Sequence, residues 1–129
     1  MGNLIVNILV VGFGSCLGGI ARYLVGKLFS TTVTGMFPWA TLAVNLGGCF
    51  LIGLIYGLID RGFTLSPEMK LFLTVGFCGG FTTFSTFMHE NFLLFGGGNP
   101  WLFVAYASTS FVFGLLLVYG GYFVASSLH

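Results

Sequence analysis

Four long apolar stretches with little between them set narrow limits on what this chain can fold into. They run approximately from Leu4 to Phe29, Trp39 to Ile59, Met69 to Phe95 and Trp101 to Ser126. About 20 mostly apolar helical residues cross a hydrocarbon core about 30 Å thick, so each stretch is long enough to span a bilayer. The connectors are short and rich in turn formers: Ser30-Thr31-Thr32-Val33-Thr34-Gly35 with Pro38, Asp60-Arg61-Gly62 to Ser66-Pro67-Glu68, and Gly96-Gly97-Gly98-Asn99-Pro100. Ser66 followed by Pro67 also predicts a helix start, with Ser66 as N-cap and Pro67 in the first turn. The expectation is an all-α integral membrane protein, a single transmembrane domain over residues 1–129 with four transmembrane helices.

The composition agrees. Hydrophobic residues make up 57% of the chain and charged residues only 5%, against about a quarter charged in soluble domains. A net charge of +1 with scattered cations forms no basic patch, so nucleic acid is not an expected partner and membrane lipid is. Cys16, Cys49 and Cys78 each sit in an apolar run without a second Cys or a His at metal-ligand spacing, and read as small buried hydrophobes. The first stretch lacks a basic leader and carries Arg22 and Lys27 near its end, which argues against a cleaved signal peptide.

Four spans place the first and third connectors on one side, and the second connector with both termini on the other. Arg22 and Lys27 lie towards the first connector while Arg61 and Lys70 flank the second, so the positive-inside bias is balanced. Either two of these cations are too deep to count, or the chain inserts both ways and assembles as an antiparallel pair. Gly14 with Gly18, and Gly53 with Gly57, have the spacing that brings helix backbones together in lipid, within one subunit or between two.

The third stretch holds the most unusual run, Gly76-Phe77-Cys78-Gly79-Gly80-Phe81-Thr82-Thr83-Phe84-Ser85-Thr86-Phe87. Glycines at membrane depth loosen the helical ladder, and carbonyls freed there must be buried in protein, line a wet cavity or bind an ion. A third helix broken at its centre is therefore expected. Phe84 and Phe87 are three apart and predicted to share a helix face, as core packing or as ring edges that meet an anion. Thr82 with Ser85, and Thr83 with Thr86, are predicted hydroxyl pairs beside that stripe.

Other polar residues in the spans have two readings each. Arg22 either snorkels to the interface or faces an aqueous vestibule that gathers anions. Asn45, in the middle of the second span, either makes an interhelical hydrogen bond or lines a polar path. Tyr106 and Ser110 are four apart on the fourth span, with no charge nearby, and hydroxyl donors without carboxylates favour an anion over a cation. Glu90, the only acidic residue within a span, is either a functional carboxylate or a solvated one near the interface. With no paired carboxylates and no HExxH, CxxC or P-loop pattern, the chain does not read as an enzyme.

Gly18-Gly19-Ile20-Ala21-Arg22-Tyr23, the segment from Ala40 through Asn45 to Gly53, and the Gly76 to Phe87 run together resemble the Fluc (CrcB) fluoride channel family. The resemblance implies passive fluoride export across the bacterial plasma (inner) membrane, giving fluoride resistance. It implies a dual-topology, antiparallel homodimer with two pores and a structural sodium ion at its centre. By motif position, it assigns the Gly79 and Thr82 backbone carbonyls to sodium and Phe84 and Phe87 to the fluoride path. Asn45 and Ser85 would be donors along that path, with Arg22 at the vestibule. Tyr106 and Ser110 match a polar track on the fourth helix. Gly114 departs from it, which leaves Thr83, Thr86 or Glu90 to continue the track. A rival of another class is a small multidrug-type exporter, which needs an ionisable carboxylate deep in the bilayer; a non-transporting scaffold subunit is a further alternative.

Overall fold

The computed structural model describes residues 2–32 and 35–128; Val33 and Thr34 of the expected first connector lie outside the described residues. The chain runs through α1 (Gly2–Thr32), α2 (Trp39–Asp60), α3 (Pro67–Leu71), a π-helical segment (Phe72–Cys78), α4 (Gly79–Phe81), α5 (Ser85–Gly96) and α6 (Pro100–Ser126). Continuous from α3 to α5 except for one interruption, the third stretch gives the third of four spans long and apolar enough to cross a membrane. Each expected span is present, extended by a few residues at its ends. Ser66 caps α3 as its sequence predicts: its Oγ accepts from the Met69 N–H at 3.1 Å, with Pro67 in the first turn. Pro100 opens α6 in the same position.

Small residues decide how the helices pair. α1 packs against the π-helical segment and α4, and α2 packs most extensively against α6. A Cβ added at Gly14 would lie 2.6 Å from the Phe72 carbonyl oxygen and 3.0 Å from the Gly76 Cα, so the backbones nearly touch there. Gly80 would similarly meet the Ser15 carbonyl at 2.6 Å. Gly53 and Gly57 lie against the backbone of α6 at Val118 and Tyr122, and Gly121 against Phe50 of α2. Both small-residue pairs of the sequence thus serve packing within one chain. In lipid, where apolar side chains gain nothing by leaving water, such close backbone approach supplies the dispersion that joins helices.

Gly14→Val is therefore expected to cost about 3 kcal/mol or more, the upper end of overpacking, because only backbone can yield. Gly120→Ala, where nothing lies within 4 Å among the described residues, should leave stability at the parent level. Thermal unfolding in detergent, followed by loss of the monodisperse chromatographic peak, checks the pair.

The third span breaks near its centre as expected, but the glycines themselves stay helical. Gly76 lies in the π-helical segment and Gly79-Gly80 in α4; the non-helical residues are Thr82, Thr83 and Phe84, immediately after them. Gly76 and Gly80 are spent on the contact with α1, and the chain leaves the helix at Thr82 with φ −93° and ψ 161°. Most of the apolar surface of all four spans stays exposed, from 11% to 33% of each span's most apolar window being buried. A surface of that kind faces lipid or another protein chain.

Candidate functional site

The interruption at Thr82–Phe84 leaves a set of backbone groups that a helix would have paired, and side chains from α1 and α2 satisfy part of it. Asn45 of α2 accepts from the Thr83 N–H at 2.8 Å and donates through Nδ2 to the Thr83 carbonyl at 3.1 Å. Arg22 of α1 donates through Nε to the Gly80 carbonyl at 3.1 Å. The Thr86 N–H is taken by Thr83 Oγ1 at 3.3 Å, while Thr82 Oγ1 donates back to Cys78 at 2.8 Å. Among the described residues the carbonyls of Gly79 and Thr82 accept no hydrogen bond, because the N–H groups four residues on, at Thr83 and Thr86, are directed elsewhere.

The helix-face pairing expected of Thr82 with Ser85 and Thr83 with Thr86 does not form, since Thr82 and Thr83 lie outside any helix and α5 begins at Ser85. Ser85 itself is exposed. Phe84 precedes α5 yet keeps its ring beside that of Phe87, centroids 6.1 Å apart and planes tilted by 45°. Phe87 also meets Tyr106 edge-on at 4.9 Å. Tyr106, fully buried, belongs to a cluster with Leu42 and Leu94 that anchors α6 to α2 and α5.

Glu90 is not simply solvated. Thr41 Oγ1 donates to its Oε2 and the Tyr106 hydroxyl to its Oε1, each at 2.8 Å. A carboxylate within the third span is thus held by two hydroxyls from two other spans, which joins α2, α5 and α6 through one side chain. Thr41 is the residue that the sequence reading missed. Its spacing of four from Asn45 on α2 was the available signal, since both face the third span.

Two cavities adjoin this region. The larger, about 590 Å³, opens between α2, the interrupted third span and α6; Asn45, Gly79, Thr82, Phe84, Phe87 and Ser110 are among its lining residues, and no charged residue lines it. Ser110 Oγ is itself buried, without a hydrogen-bond partner among the described residues. The smaller, about 290 Å³, has Arg22 and Lys27 on one wall and the hydroxyl residues Ser30, Thr41 and Thr86 around it, with no carboxylate among its lining residues. Thr83 lines both. One cavity therefore concentrates positive charge, the other offers neutral donors and ring edges, and a single threonine stands between them. An anion drawn to the first meets no fixed negative charge lining the second.

Comparison with known proteins matches residues 9–122 to the family described as CrcB-like protein, Camphor Resistance (CrcB). Similar curated proteins carry the description fluoride-specific ion channel FluC. One from Leptospira interrogans is 42% identical, over 89% of this chain and 91% of its own length. One from Chlorobium luteolum is 45% identical, over 92% of each chain. A third, from Pyrococcus horikoshii, is 42% identical, over 94% of this chain and 95% of its own.

Proposed function

The chain belongs to the CrcB-like family of multi-pass membrane proteins, which are not enzymes, and from that premise we propose that it is a fluoride-selective channel that exports fluoride passively across the bacterial plasma membrane. The relatives' descriptions support the ion. The observation that carries the reading here is the cavity lined by Phe84, Phe87, Asn45 and Ser110, free of charged residues and joined through Thr83 to the cationic cavity of Arg22 and Lys27. Fluoride is small and holds its water tightly, so a pore must replace that water with convergent donors. The buried Ser110 hydroxyl, the second N–H of the Asn45 amide and the ring edges of the phenyl pair are groups of that kind. Chloride is larger and is rejected by narrowness. Arg22 and Lys27 raise the local anion concentration at the mouth.

The assembly in this reading is an antiparallel homodimer with two pores. Its support is the balanced placement of the four cations and the large exposed apolar surface of a chain too small to enclose a pore alone. A structural sodium ion belongs at the dimer centre. The donor set fits it: the Gly79 and Thr82 carbonyls lack hydrogen-bond donors among the described residues, both residues line the open cavity, and a two-fold axis would double them. Carbonyl oxygens suit a hard cation without acidic ligands, and such an ion would clamp two subunits through backbone alone.

Efflux from liposomes loaded with fluoride or chloride, read by ion-selective electrodes with a potassium ionophore carrying the countercharge, tests the reading. Rapid, ionophore-dependent loss of fluoride with little loss of chloride is the expected result. Fluoride loss independent of the ionophore would indicate coupled export, and no loss from folded protein would indicate a scaffold.

A further inference from the structure

The polar stripe of α6 is incomplete on its own helix. Tyr106 and Ser110 lie one helical turn apart, and the same spacing leads next to Gly114, which is buried and has no side chain to offer. A Cβ added at Gly114 would lie 3.4 Å from the Cys49 sulfur of α2. Cys49 lines the same open cavity as Ser110, Phe84 and Phe87. Ser110 lines that cavity too, and its Oγ is buried without a hydrogen-bond partner among the described residues.

We propose that the Cys49 thiol is a group of the ion pathway, occupying from α2 the place that Gly114 leaves without a hydroxyl on α6. The inference rests on the fluoride reading above. A thiol is a weak S–H donor, polarisable and small. It continues the line of donors past Ser110 where a glycine alone would leave bare backbone. The close approach of Gly114 to the sulfur explains why both cannot carry long side chains: a hydroxyl on α6 and a thiol on α2 would compete for one space.

Fluoride efflux from liposomes separates this role from mere filling of space. Cys49→Ser, a stronger donor of similar shape, should pass fluoride within about 3-fold of the parent, whereas Cys49→Val should be slower by about 10-fold, the scale of one lost hydrogen bond. The decisive comparison moves the donor to the other wall. Cys49→Ala with Gly114→Ser should return to within about 3-fold of the parent, and Cys49→Ala with Gly114→Ala should stay about 10-fold slow, on the same scale. Equal rates for those two double variants, or a Cys49→Val protein at the parent rate, would overturn the proposal. Should Cys49→Val fail to elute as the parent oligomer, the two double variants decide. A parent protein without fluoride efflux would instead remove the channel reading itself, so the two failures are distinct.

Discussion

Replacing Phe84 by isoleucine is expected to slow fluoride efflux by about 100-fold while leaving the protein as stable as the parent. Phe84 is 72% exposed in the single chain, so its ring contributes little to the packing of that chain, and surface substitutions of this kind usually change stability by less than about 0.5 kcal/mol. What the substitution removes is the ring edge beside Phe87, 6.1 Å away between centroids. If the ring edge serves fluoride as a donor on the scale of a hydrogen bond to a charged group, about 2–3 kcal/mol, its loss corresponds to about 100-fold in rate. Phe87→Ile should show the same loss of flux together with a lower unfolding temperature, because Phe87 also packs edge-on against buried Tyr106. The contrast matters more than either result. Phe84→Ile protein that folds and conducts at the parent rate would remove the phenyl pair from the pathway.

The second large effect falls on Asn45. Its amide holds both the N–H and the carbonyl of Thr83, so Asn45→Leu leaves two backbone groups without partners at membrane depth. Each costs about 1–3 kcal/mol, and nothing in lipid replaces the lost bonds. The variant should lose folded protein on extraction or conduct fluoride at least about 10-fold more slowly, since the same scale of free energy governs the shape of the interruption. Asn45→Asp discriminates further. An aspartate can still accept from the Thr83 N–H but cannot, when ionised, donate to the Thr83 carbonyl. It also sets a negative charge in a cavity lined by neutral groups. Folded Asn45→Asp protein with parent fluoride efflux would contradict both the clamp and the anion path.

Much of this organisation was legible in the chain because lipid leaves few options. Four apolar stretches gave four spans, and Ser66-Pro67 marked a helix start that the Ser66 Oγ completes. The interruption was legible in its place near the centre of the third span, but not in which residues leave the helix. Glycine at 76, 79 and 80 signals either a loosened helix or close approach, and only the neighbouring helix decides between them. Here α1 brings Gly14 and Ser15 against Gly76 and Gly80, so the glycines remain helical and the break follows them. For the same reason the threonine pairs, drawn from helical periodicity, did not survive a residue outside the helix.

Long-range partners were the least legible. Neither Arg22 nor Asn45 carries in its own segment any sign that it bonds the backbone of the third span, at Gly80 and Thr83. Glu90 near a span end gave no hint of the Thr41 and Tyr106 hydroxyls that hold it. Such bonds depend on how helices are rotated against one another. That rotation is set by the glycine contacts between α1 and the third span and between α2 and α6.

The most direct test of a selective fluoride pore is its reversal potential in planar bilayers, with fluoride and chloride gradients varied separately across the reconstituted protein. A current whose reversal follows the Nernst potential of fluoride and does not move with the chloride gradient is the predicted result. A reversal that tracks chloride, or folded protein that carries no current under a fluoride gradient, would contradict the account.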